Sequence, residues 1–184
     1  MNTGFWGSDE YDRAAERLYE AGDYDGALSI LEQGLAVYPE SAELRVSVGY
    51  AELAREQYAW ARRSFERALA LEPDHEDALV GLGEVLLKFG ERGRAFRIFE
   101  RLLELGFQDD VELLLSIGRA LSHEGLDAHA RRFFERAVRA DRRSADAAAE
   151  LAYSLYRQGE KRRARAWLER ALCREPTNHE ARAL

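Results

Sequence analysis

The stretch Arg63–Pro73, RSFERALALEP, returns in altered form along the chain: SILEQGLAVYP at Ser29–Pro39, RIFERLLELGF at Arg97–Phe107, RFFERAVRADR at Arg132–Arg142 and AWLERALCREP at Ala166–Pro176. Each copy reads as one amphipathic helix, with apolar residues at helical spacing and charges between them. A small residue recurs at Ala27, Ala61, Ala95, Ala130 and Ala164, in steps of 34, 34, 35 and 34. A large apolar residue keeps the same steps at Leu31, Phe65, Phe99, Phe134 and Leu168. Self-similarity at a fixed period in this range marks an array of stacked supersecondary units, not one irregular domain.

The interval between copies resolves into a second pattern. Glycine opens a turn at Gly22, Gly90, Gly125 and Gly159, with Glu56 standing in the second copy, and proline closes the unit at Pro39, Pro73 and Pro176. Upstream of each turn runs another amphipathic stretch, in which a small residue follows an apolar one: Val48-Gly49, Leu82-Gly83, Ile117-Gly118 and Leu151-Ala152. Each period is therefore helix, turn, helix. Glycine inside a helix costs about 0.5–1 kcal/mol relative to alanine, so Gly49, Gly83 and Gly118 are expected where a neighbouring helix lies against their backbones. One hairpin cannot bury both of its faces, and neighbours must stack.

The Leu-Gly, Tyr, Ala, Phe, Ala and Pro positions, carried most fully by GDYDGALSILEQGLAVYPES and QYAWARRSFERALALEPDH, resemble the tetratricopeptide-repeat family. The resemblance implies an all-α, right-handed superhelical solenoid of antiparallel helix hairpins. It divides the chain into an N-terminal aromatic segment, 1–7, and five repeats, 8–41, 42–75, 76–110, 111–144 and 145–178; residues 179–184 begin a truncated or capping helix. Copy one has Ala14-Ala15 in place of Leu-Gly, as suits an end unit. Copy three carries an extra residue around Gly106–Asp110, with Phe107 at the proline position, and predicts a local change of superhelix angle before copy four. At the C-terminus, Thr177–Glu180 (TNHE) has the form of a capping box. Trp167, Leu168 and Leu172 lack outward neighbours, so either a longer chain or another subunit is expected to cover them. At the other end, Phe5 and Trp6 are expected to fold back over the open edge of copy one, or else to serve as a hook for a partner.

The formal net charge of −7 conceals an asymmetry: residues 1–92 hold 19 acids against 9 Lys or Arg, whereas residues 93–184 hold 15 against 18. The two ends should attract different partners. Arginine runs at Arg62-Arg63-Arg67, Arg131-Arg132-Arg136-Arg139 and Arg162-Arg163-Arg165 raise nucleic acid, but they interleave with Glu66, Glu100, Glu135 and Glu169 at helical spacing. That spacing describes solvated ion-pair faces, and the acidic total speaks against nucleic acid as a partner. No secretory signal and no run of 18 apolar residues is present, so no membrane span is expected and the cytoplasm is the default location. Cys173 is alone, which excludes an intrachain disulfide, and it reads as a small packing residue.

Nothing in the pattern asks for chemistry. The histidines His75, His123, His129 and His179 fall in or beside turns, where they are expected to be solvated; His123, Asp127 and His129 match no established ligand spacing. GLGEVL, from Gly81, keeps the repeat register and follows no strand, unlike a phosphate loop. We therefore expect no catalytic residues, no metal, no cofactor and no enzyme activity.

In the family, first helices line the concave groove where partner segments lie. Carried over by position, this implies a groove of Asp12, Glu16 and Tyr19; Val46, Tyr50 and Leu53; Val80, Glu84 and Leu87; Leu115 and Arg119; and Tyr153, Tyr156 and Arg157. It runs from acidic through apolar to basic. Tyrosines offer contact area at low entropic cost, the acids suit a basic segment, and Arg119 and Arg157 suit acidic groups. Asp12 and Glu16, with Asp77 and Gly81, replace the basic and amide groups by which family members clamp chaperone C-termini, so that mode is not expected. The function implied is a non-catalytic interaction module or scaffold that holds a peptide or protein segment. The alternative is a structural solenoid self-assembling as a homo-oligomer through its C-terminal repeat.

Overall fold

Ten α-helices form among the described residues of the computed structural model, which describes residues 6–178 and Arg182. They are α1 Ser8–Glu20, α2 Tyr24–Val37, α3 Ala42–Ala54, α4 Tyr58–Leu71, α5 Glu76–Lys88, α6 Arg92–Glu104, α7 Val111–His123, α8 Asp127–Ala140, α9 Ala145–Arg157 and α10 Lys161–Arg174. Phe5 and most of the final segment, including His179 and Glu180 of the expected capping box, lie outside the described residues.

The starts of the helices follow from local chemistry. Ser41, Asp110 and Ser144 precede α3, α7 and α9, and their side chains accept from the backbone N–H of Leu44 (3.2 Å), Leu113 (3.0 Å) and Ala147 (3.1 Å). Each satisfies one of the donors that a helix start leaves open. At α1 the Gly7 N–H donates to the Glu10 carboxylate at 2.7 Å. Before α5, His75 has no such capping bond. Its ring is not the solvated turn histidine expected: the side chain is 9% exposed, and Nε2 lies 2.9 Å from the Glu43 carboxylate.

Turns between paired helices require the left-handed backbone, and four are made by Gly22, Gly90, Gly125 and Gly159 at φ of 79°, 73°, 71° and 82°. In the second hairpin Glu56 adopts φ 59°, a conformation in which its Cβ crowds the backbone. Glu56→Gly is therefore expected to raise stability by about 1 kcal/mol, read as a higher urea midpoint; a lower midpoint would show that the glutamate side chain contributes more than the strain it imposes. The extra residue of the third period is absorbed after Gly106 (φ 106°) by a 3-10 turn, Phe107–Asp109, before Asp110 caps α7.

The chain divides into two compact units, 1–98 and 99–184. In the first, Ala15, Ala27, Leu31 and Leu44 form one buried cluster with Tyr11, Leu18, Ile30, Leu35, Tyr38 and Val48 around it. Val46, Ala61, Phe65, Ala68, Ala78 and Val85 form another, edged by Tyr50, Leu53, Tyr58, Leu69 and Leu82. The Phe65 ring stands between Gly49 on α3 and Gly81 on α5: a Cβ on either would lie 2.7 or 2.2 Å from it. Gly81 is thus a packing glycine, not part of a phosphate loop. Trp6 does fold back: its ring meets Tyr11 edge-on at 5.2 Å, and its carbonyl accepts from the Tyr38 hydroxyl at 2.9 Å.

In the second unit Phe134 is fully buried, and its ring would lie 2.3 Å from a Cβ at Gly118. Ala148, Ala149 and Ala171 pack with Trp167, Leu168 and Leu172 between α9 and α10. Cys173, expected to pack, is exposed, because its position on α10 falls outside the stripe set by Ala164, Leu168 and Ala171. One ion-pair arrangement occurs in both units. Arg62 joins Glu66 (2.8 Å) to Glu91 (3.1 Å), and Arg131 joins Glu135 (2.8 Å) to Glu160 (2.7 Å). Each arginine thus binds one acid on its own helix and one at the residue before the next hairpin's second helix.

Candidate functional site

The 34-residue register places one position of each first helix at Glu16, Tyr50 and Glu84 in the first unit. Tyr50 is held from both sides, its ring edge-on to Phe65 at 5.1 Å and its hydroxyl donating to the Asp77 carbonyl at 3.0 Å. Burial, then the nearby Glu84, Asp77 and Tyr19, pushes its phenol well above the usual range. Tyr19, 38% exposed, stacks at a tilt on Tyr24 at 5.2 Å; burial, Tyr24 and Glu84 raise its phenol too. Glu84 is half-buried, and burial raises its carboxyl to about 7 against the opposing pull of Lys88. Desolvation penalises the charged form of such a group.

Between α1 and α3 a pocket of about 290 Å³ opens, lined by Asp12, Ala15, Glu16, Tyr19, Ala27, Leu31, Ser47, Tyr50 and Ala51. The Ser47 hydroxyl donates to Asp12 at 2.5 Å and fixes that carboxylate at the rim. Four residues assigned to the groove from sequence, Asp12, Glu16, Tyr19 and Tyr50, line this one cavity.

The apolar middle of the assigned groove lies elsewhere. Val46 (5% exposed), Val80 (1%), Leu87 (4%) and Leu115 (1%) are buried. Leu53 is half-buried against the Phe65 cluster. The four buried side chains occupy the core and offer no free surface to an anchor, whereas Leu53 keeps part of its surface exposed. The positional pattern correctly places them on first helices, but such a helix has neighbours on two sides, and its apolar positions turn toward them. Sequence reading also missed the pocket's floor, Ala15, Ala27 and Leu31, and its far wall, Ser47 and Ala51. The signal was available in Leu31, where three later copies have phenylalanine.

In the second unit, Arg119 donates through Nε to Glu150, which joins α7 to α9. Arg157 pairs with Asp127 at 3.3 Å, donates to the Ser122 carbonyl at 3.2 Å and lies 5.8 Å from the Tyr153 ring centroid. Both arginines therefore have partners. Tyr153 and Tyr156 present 43% and 49% of their surface to solvent from α9. No group of three or more His, Cys, Asp or Glu among the described residues is arranged to hold a metal, and none of the described helices is long and apolar enough to cross a membrane.

Three family models described as tetratricopeptide repeat match residues 8–53, 52–116 and 144–174. Among curated protein sequences none matches. Solved structures do. TTC0263, a thermophilic protein with this repeat from Thermus thermophilus, is 20% identical with a TM-score of 0.73 over 96% of each chain. PilF of Pseudomonas aeruginosa is 19% identical with a TM-score of 0.72, over 95% of this chain and 79% of its own. YrrB, described as having an unusual peptide-binding site, is 24% identical with a TM-score of 0.59, over 95% of this chain and 89% of its own. Likeness at these identities establishes the fold and leaves the partner to be argued from the residues.

Proposed function

The chain belongs to the tetratricopeptide-repeat family, and from that membership we propose that it is a non-catalytic interaction module whose first helices hold a peptide or protein segment. The observation that carries this reading is the open pocket between α1 and α3, with two carboxylates and two tyrosines at its walls. Tyr153 and Tyr156 on α9 supply a second exposed aromatic surface. Peptide sites of this kind use aromatic contact area and a few polar groups to fix orientation. The peptide-binding description of YrrB agrees with such a role. The second helices are poorer candidates, because Arg62 and Arg131 are occupied by intramolecular ion pairs.

The test is selection of a displayed peptide library on the purified chain, followed by titration of the enriched peptides. Tyr19→Ala, or Tyr153→Ala with Tyr156→Ala, is expected to weaken binding at least about tenfold without changing helical content. Trp60→Ala, an exposed aromatic on α4, should leave it unchanged. Peptides lost only with Trp60→Ala would move the site to the second helices. A competing reading, self-association through α10, draws on Trp167 and Leu168, which are half-buried where Phe65, Phe99 and Phe134 are fully buried at the Leu168 register. Light scattering that shows a dimer dispersed by Trp167→Glu would establish it.

A further inference from the structure

Repeat registers explain why the pocket exists. In the second hairpin, Phe65 fills the space between Gly49 and Gly81 so closely that neither glycine could carry a Cβ. Thirty-four residues earlier, the same three positions are Leu31, Ala15 and Ser47. The ring is replaced by a leucine and two short side chains, the same seven side-chain heavy atoms spread over three positions, and these line an open space where in the second hairpin one ring stands between the helices. That space is the cavity of about 290 Å³, with Ala15, Ala27 and Leu31 as floor. It is a place for one inserted side chain, at the low end of the roughly 300–1,000 Å³ usual for small-molecule sites.

Its walls specify which side chain. Asp12 and Glu16 stand one helical turn apart on α1, and among the described residues neither takes part in an ion pair. Tyr19 and Tyr50 add aromatic surface, Ser47 orients Asp12, and no basic residue lines the cavity. A neutral apolar anchor would leave two carboxylates partly desolvated with nothing gained. An aliphatic stem ending in a planar cation would bury its methylenes on the alanine and leucine floor, meet the carboxylates, and lie against tyrosine.

We propose that this pocket, where the first repeat lacks the phenylalanine of the second, receives an arginine side chain of the bound peptide. The inference rests on the interaction-module reading above and names the anchor that this reading leaves open. Arginine exceeds lysine here because its fork can meet both carboxylates and its plane can stack on an aromatic ring.

The probe is a blocked pentapeptide, acetyl-Gly-Ser-Arg-Ser-Gly-amide, titrated into the 15N-labelled full chain and compared with its citrulline counterpart, which keeps the shape and loses the charge. Amide shifts are expected at Ala15, Ser47 and Ala51 with arginine, at a Kd on the order of millimolar, and none with citrulline. Asp12→Asn with Glu16→Gln should weaken the arginine peptide at least about tenfold. A triple variant, Leu31→Phe with Ala15→Gly and Ser47→Gly, rebuilds the packing of the second hairpin and should abolish the shifts while leaving the helical spectrum intact. Equal response to citrulline, binding unchanged in the triple variant, or no shift with arginine would overturn the proposal. Library peptides that contain no arginine and still need Tyr19 would sink this inference and leave the interaction-module reading standing. Absence of any peptide that needs Tyr19, Tyr153 or Tyr156 would sink that reading instead.

Discussion

Gly81→Ala is expected to destabilise the first unit by more than an ordinary surface alanine could, because its new Cβ would sit 2.2 Å from the Phe65 ring. Overpacking of this kind costs typically about 1–3 kcal/mol. The ring has little room to yield: Gly49 is on its other side, Tyr50 lies edge-on at 5.1 Å, and Phe65 is fully buried. Removing the ring is costlier still, and Phe65→Ala should lose about 3–5 kcal/mol, the usual range for a buried phenylalanine. The two effects are coupled through one volume. Phe65→Leu should therefore make Gly81→Ala nearly harmless, so that the double variant is more stable than the sum of the single effects predicts. The first hairpin already uses that combination in Leu31 with Ala15 and Ser47. Urea unfolding of the four proteins by far-ultraviolet circular dichroism measures the coupling. Strict additivity would show that the ring and the glycine do not compete for the same space.

Much of this architecture was legible in the sequence because it is carried by period. Recurring Ala and Phe name the buried stripe of the second helices, and Ala61, Ala95, Ala130, Phe65, Phe99 and Phe134 are all fully buried. The turn glycines announce a left-handed backbone, and even Glu56 obeys the position despite its side chain. The site was less legible, since a positional rule says which helix a residue belongs to but not which neighbour it meets. Val80 and Leu115 share first helices with Glu84 and Arg119, yet they are buried while the charged residues remain partly exposed. Cavities are harder again. They depend on how side-chain atoms are shared among neighbouring positions, as among Leu31, Ala15 and Ser47, and not on the size of any one residue. His75 failed for a related reason: a turn residue faces solvent only if no other side chain lies beside it, and Glu43 does.

Glu84 supplies the other large effect, one that is read through pH. Its carboxyl is raised to about 7 chiefly by burial, whereas in the unfolded chain it titrates near the ordinary value of about 4.3. Between those values the folded chain binds more protons than the unfolded one, so stability must fall as pH rises through this window and level off above it. The difference amounts to on the order of 4 kcal/mol at about 1.4 kcal/mol per unit. Glu84→Gln keeps the shape, removes the charge, and should erase this component: the variant gains on wild type from about pH 5 upward and matches it below, where Glu84 is protonated in both states. Urea midpoints of both proteins from about pH 4.5 to 8 test it, and parallel curves would mean that Glu84 stays ionised in the fold. The same carboxyl couples the fold to the pocket, because its field reaches Tyr19 and Tyr50, both of which line the cavity. A cation seated between those rings favours the ionised form of Glu84. Binding of the arginine peptide near neutral pH should then release protons, seen as a heat that changes with the ionisation enthalpy of the buffer, and Glu84→Gln should abolish that dependence.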